Sequence, residues 1–132
     1  MGLGCHHEGM RNLVEVMESY PRLVEAGLVP EREVGGDEYE SARRALLGCE
    51  VQVQAVRRWL EQSVPAAPSG RVGSYWVKGV AERALDDYVP NGVLIAAALL
   101  VGYRVTLPRD PLSPNVELGM DKGELRRLDG AN

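Results

Sequence analysis

Residues 74–103, SYWVKGVAERALDDYVPNGVLIAAALLVGY, decide the fold. From Gly92 to Val101 no side chain is polar. That run is too short to cross a bilayer, which needs roughly 17–25 residues. An apolar helix of this kind belongs at the centre of a globular core, covered on every side. Its large members are Val93, Leu94, Ile95, Leu99, Leu100 and Val101. Each is worth roughly 1.5–3 kcal/mol on burial, so the rest of the chain is expected to pack around them. Asn91 is its expected N-cap and Gly102 its C-terminal stop. Before it, Ser74 should cap a helix with an inner face of Val77, Val80, Ala81, Ala84, Leu85 and Tyr88, ended by Pro90. Gly79 in the middle of that helix costs up to about 1 kcal/mol relative to alanine; close packing by a neighbouring helix would explain it.

Downstream the period changes from helix to strand. Tyr103, Val105 and Leu107 alternate with Arg104 and Thr106, and Val116, Leu118 and Met120 alternate with Glu117 and Gly119. With PRDPLSPN (108–115) between them, these runs predict a β-hairpin with a projecting, proline-stiffened tip. Asp121 and Glu124 have capping-box spacing for a short last helix ending near Leu128.

Upstream, VPAAPSGRVG (64–73) reads as a flexible linker. Asp37 to about Ser63 reads as the longest helix, with Asp37 at its N-cap. Along it Tyr39, Ala42, Leu46, Cys49, Val53, Val56 and Leu60 form a heptad-like seam. A second row, Leu47, Val51, Ala55 and Trp59, lies well round the helix and should meet either the C-terminal unit folded back onto it or, as the favoured expectation, a second copy as the self-association face of a homodimer. Residues 10–29 carry Leu13, Met17, Tyr20, Val24 and Leu28 at helical spacing and predict a helix kinked or restarted at Pro21. It should cover the first row as an antiparallel hairpin. Residues 1–9, MGLGCHHEG, read as a flexible leader. The expected fold is therefore mainly α: a leader over 1–9, a helical hairpin over 10–64, a linker over 65–73, and a helix-turn-helix plus β-hairpin unit over 74–132. All are packed in one overall domain.

Composition bounds the function. The 132 residues are 45% hydrophobic and 26% charged, with formal net charge −4, the balance of a globular protein. Residues 1–69 carry 7 basic and 11 acidic side chains and residues 70–132 carry 8 of each. Neither half is the basic block of a non-specific nucleic-acid binder. Two cysteines make no disulfide framework; Cys49 is expected as a buried thiol, and a reducing cytoplasm is the simplest setting. The start lacks a secretory signal pattern, and no segment has the length to cross a membrane.

No nucleophile motif or phosphate-cradling glycine loop is present, and both histidines stand in the leader, so no catalytic residues and no cofactor are expected. Cys5, His6, His7 and Glu8 are potential metal ligands. Adjacent residues, however, do not easily converge on one ion without a second ligand cluster. Asp86–Asp87 reads as the solvated end of a helix. A sharper possibility is nucleic-acid binding, because helix, turn, helix, hairpin is the element order of a winged helix-turn-helix domain. Lys78, Arg104 and Arg109 would then contact DNA. Against it, the helix in the recognition position has nothing to bond a base edge or a phosphate. The leading expectation is a non-enzymatic protein-interaction module using Tyr75, Trp76, Lys78 and the loop from Arg109 to Asn115.

The pattern Ser74-Tyr75-x-x-Lys78, Glu82, Tyr88-Val89-x-Asn91-Gly92, Ile95-Ala96-Ala97-Ala98, Gly102-Tyr103 and Ser113-Pro114-Asn115 resembles small bacterial proteins associated with prophages, plasmids and other mobile elements. The likeness covers residues 73–118. Those proteins are largely of unassigned function, so the resemblance implies a cytoplasmic accessory or inhibitor protein and supplies no catalytic residue. They have a histidine where this chain has Gly79, and no role is carried over to that position.

Overall fold

A computed structural model describes residues 10–130 of the chain. Its centre is the apolar run. Asn91–Val101 is a helix in which every residue from Asn91 to Leu100 is buried. Among the described residues the chain order is α1 (Leu13–Ser19), β1 (Leu23–Val24), β2 (Gly27–Leu28), a 3-10 turn (Glu31–Glu33), α2 (Asp37–Leu47) and α3 (Glu50–Ser63). These are followed by β3 (Val72–Gly73), α4 (Ser74–Leu85), α5 (Asn91–Val101), β4 (Val105–Thr106), β5 (Glu117–Leu118) and α6 (Lys122–Gly130). The fold is mainly α with a minor β component. The helices α1, α3 and α4 and strand β2 cover α5, while α6 packs on α4. None of the helices is long and apolar enough to cross a membrane among the described residues.

The chain up to α4 differs from the sequence reading at three places. Residues 10–29 are not one helix. Pro21 supplies no amide donor and disfavours helical geometry at Tyr20, which leaves the helix at φ −126°, ψ 78°. Leu23–Val24 and Gly27–Leu28 then form an antiparallel ribbon with Leu23 opposite Leu28. The long helix breaks at Gly48–Cys49, where glycine is a poor helix former and Cys49 N–H bonds back three residues to Leu46 O (2.9 Å). Its main partner is α5 rather than residues 10–29, while α2 lies on β1. The break also divides the second row. Leu47, on α2, is exposed; on α3 the row runs from exposed Val51 through half-buried Ala55 to Trp59 in the core. Cys49 is only half-buried; its Sγ donates to Ala45 O (3.3 Å) and lies 3.6 Å from Glu25 Oε2. Burial and then the Glu25 carboxylate push its pKa up.

The third difference concerns 64–73, expected as a flexible linker. It is tied into the sheet. Ala66 bridges Met120, and Val72 pairs antiparallel with Leu118, which also pairs with Val105, giving the strand order β3-β5-β4. The expected hairpin of the two alternating runs is found, with Val105 opposite Leu118 and Thr106 opposite Glu117. Smaller corrections follow at the caps. Gly36, Gly73 and Pro90 take the N-cap positions expected for Asp37, Ser74 and Asn91. The two polar side chains work elsewhere: Ser74 Oγ accepts from Val116 N–H (3.1 Å), and Asn91 Nδ2 donates to Pro114 O (3.1 Å) and Asn115 Oδ1 (2.9 Å). Asp121 does cap α6, accepting from Glu124 N–H at 2.9 Å.

Gly92 sets the closest approach in the core. Its N–H donates to Glu25 O at 2.8 Å, and a Cβ there would lie 1.9 Å from Val24 O. Gly79, by contrast, is not packed by another helix: a Cβ would meet only Arg83 Nη1 and Nη2, at 3.6 and 3.8 Å. The two glycines should therefore answer alanine in opposite directions. Gly79→Ala is expected to stabilise by roughly 0.5–1 kcal/mol through helix propensity. Gly92→Ala gains the same propensity, but the backbone clash outweighs it, with a net loss of about 2–4 kcal/mol. Urea denaturation of both variants checks this.

Candidate functional site

On α4 the residues Tyr75, Lys78 and Glu82 recur at three- and four-residue spacing and so share a face. Helix α4 ends at Leu85 because Asp86 turns into the left-handed region (φ 53°, ψ 49°). That turn folds Tyr88 back over the same face. Lys78 Nζ lies 2.7 Å from Glu82 Oε2, 5.2 Å from the centre of the Tyr75 ring and 4.8 Å from that of Tyr88. Lys78 is only 8% exposed. An ammonium so far out of water needs a paired charge and more; here Glu82 and two aromatic faces supply them. Glu82 Oε2 also accepts from Val89 N–H at 3.0 Å, fastening the turn to α4. Burial raises the Glu82 pKa, but the hydrogen bonds from Lys78 and Val89 and the charges of Lys78 and Arg83 outweigh it and hold the carboxyl below its ordinary value.

The rings that cover Lys78 are themselves exposed, Tyr75 at 65% and Tyr88 at 69%. The start of α3 joins them: Gln52 Nε2 donates to Tyr88 O and to Asp87 Oδ2. The neighbouring Val51 is 85% exposed. This corner therefore combines Tyr75 and Lys78, two of the residues expected at an interface, with Tyr88, which the periodicity had placed inside. Lys78 itself proves to be a buried support rather than a surface group. The helical period, run on to Pro90, puts Tyr88 on the inner face; Pro90 restricts only the residue before it, and the helix stops earlier, at Leu85, because Asp86 turns left-handed.

Trp76 and Arg109 lie apart from the corner. Trp76 is half-buried against α6, its Nε1 donating to Asp129 Oδ2 (3.4 Å), and Arg83 pairs with the same carboxylate. Arg109 is exposed beside Arg71, Thr106 and Glu117 on a cleft of about 590 Å³ between the sheet and the proline loop. Arg104 is also exposed but lines a different cleft with Tyr20 and Pro68.

The proline loop does not project as a wing. Arg22 Nη2 donates to Pro111 O (3.3 Å), Leu28 N–H to Pro114 O (2.9 Å) and Asn91 Nδ2 to Pro114 O and Asn115 Oδ1, fastening the tip to the body. Within it, Asp110 Oδ1 accepts from Leu112 N–H (2.9 Å). Most of the polar and aromatic positions quoted for the bacterial resemblance thus fall into two contact sets. Ser74, Asn91, Gly92 and Pro114–Asn115 lock the starts of α4 and α5 to the loop and ribbon, and Tyr75, Lys78, Glu82, Tyr88 and Val89 build the corner.

The potential metal ligands Cys5, His6, His7 and Glu8 lie outside the described residues. Among the described residues no three His, Cys, Asp or Glu side chains gather as a metal site. Compared with known proteins, the chain matches no family model, no curated protein and no solved structure.

The corner makes a pH-dependent prediction. Because the folded protein holds the Glu82 pKa below its ordinary value, its stabilisation is fully present above the unfolded pKa and is lost as pH falls through the folded one. At pH 7, Glu82→Gln should cost about 1.5–3 kcal/mol, the range for hydrogen bonds to a charged group. Below the folded pKa the difference between wild type and variant should shrink. Chemical denaturation of both proteins from neutral to acid pH measures it.

Proposed function

We propose that this chain is a non-enzymatic protein-interaction module whose contact surface is the tyrosine corner at the end of α4. The observation that carries the reading is the pair of exposed rings, Tyr75 and Tyr88, both seated on the buried ammonium of Lys78. Rings already held in place lose little conformational freedom on binding, and tyrosine is enriched among residues that dominate interface energies. Val51 adds apolar surface nearby. The polar chemistry of the corner favours contact over catalysis, since Lys78 and Glu82 are engaged with each other, the rings and Val89. The resemblance of residues 73–118 to proteins of prophages and plasmids supports an accessory or inhibitor role in a bacterial cytoplasm.

A DNA-binding role draws less support. Helix α5 is buried where a recognition helix would be exposed, the loop is fastened to the body, and Lys78 is paired. Arg104 and Arg109 are exposed but line separate clefts.

A photo-crosslinking amino acid at position 75 or 88, in cells of the natural host, tests the interaction reading. A discrete crosslinked species is expected from both positions and none from position 38, on the exposed start of α2. Equal yield from all three, or none from 75 and 88, would overturn the reading.

A further inference from the structure

We infer that the corner receives a cationic segment of its partner, an arginine or lysine side chain lying against the outer tyrosine faces and the carboxylates of Asp86 and Asp87. This rests on the interaction reading above and names the partner's chemistry. The charges at the corner mostly cancel: Lys78 pairs with Glu82, and Arg83 with Asp129. Asp86 and Asp87 do not take part. Both are exposed, and the contact found for their side chains is to the neutral amide of Gln52, at Asp87. Two uncompensated carboxylates therefore stand beside the rings.

Their position strengthens the argument. They follow the last turn of α4, where the helix dipole already presents negative charge and carboxylates are unfavourable. A cation arriving there meets two formal charges and the dipole end together. The aromatic faces add to the attraction, because the face of a tyrosine ring is the negative part of its quadrupole. The Lys78 charge beneath the rings would oppose a second cation, but Glu82, 2.7 Å away, offsets it. A nucleic acid would meet like charge at this surface.

The test titrates the full chain with an alternating Arg-Gly decapeptide and, separately, its Glu-Gly counterpart, while the ring NMR signals of Tyr75 and Tyr88 are followed. The Arg-Gly peptide should shift both rings saturably and the Glu-Gly peptide neither. The double variant Asp86→Asn, Asp87→Asn should raise the dissociation constant about tenfold; asparagine tolerates the left-handed conformation, so its Tm should stay close to wild type. Raising salt from about 20 to about 200 mM should weaken wild type more than the variant. Unchanged affinity in the variant, or shifts centred on residues 31–40 instead of the rings, would overturn the inference. So would concentration-dependent dimerisation that occupies the rings, since the occupant would then be a second copy. Crosslinks from 75 and 88 without peptide binding would refute the cationic partner alone and leave the interaction reading standing. Peptide binding without such crosslinks would refute the interaction reading, and the inference with it.

Discussion

A helix with no polar face has nowhere to meet water, and this constraint shapes the molecule. Helix α5 must be covered all round by a chain of modest length, and the covering pieces are correspondingly short. The tightest contact is made by backbone: Gly92 sits so close to Val24 and Glu25 that no side chain fits between them. Gly27, at φ 128°, does the same for the loop, since a Cβ there would lie 2.5 Å from Pro114 O. One small-residue junction thus holds the ribbon, the start of α5 and the proline loop together.

Short elements expose many chain ends, and buried carbonyls need partners. Long side chains provide them from a distance. Arg43 on α2 donates to Met17 O, Tyr20 O and Leu23 O, gathering the end of α1 and the start of the ribbon, while its guanidinium lies over the Tyr39 ring. Tyr103 OH reaches Leu60 O and Val64 O at the end of α3. Burial pushes its pKa up to about 12, with the Glu61 charge adding to the effect, so the phenol stays a donor at any ordinary pH. The Arg43 bonds explain how α2, with Leu46 as its one buried residue, stays on the body.

The tyrosine corner uses the same device for a different end. Glu82 gathers the turn after α4 through Val89, and Lys78 beneath the rings balances its charge. A structural latch thereby presents two aromatic rings to solvent. Its neighbours Asp86 and Asp87 break the usual charge preference at a helix end without a cation among the described residues. Local rules broken beside exposed aromatic groups mark the part of the surface where function is best sought.

The sequence by itself determined what composition and period can express. The apolar run 92–101 specified a buried central helix, the alternation around Val105 and Leu118 specified two strands, and Asp121 specified a cap. These are local rules of side-chain spacing and backbone bonding, and they hold wherever the segment is placed. Tertiary structure decided which elements meet. Whether 64–73 is a tether or a strand depends on the free edge of β5, which the segment itself does not record. Whether Trp59 or Val51 is covered depends on how the break at Gly48–Cys49 directs α3 towards α5. The corner was hidden for the same reason: Tyr75, Lys78 and Glu82 are neighbours by helical period, but Tyr88 joins them only through a left-handed turn at Asp86. No periodic pattern signals such a turn, because it follows from the Glu82–Val89 bond and the burial of Val89 beside it.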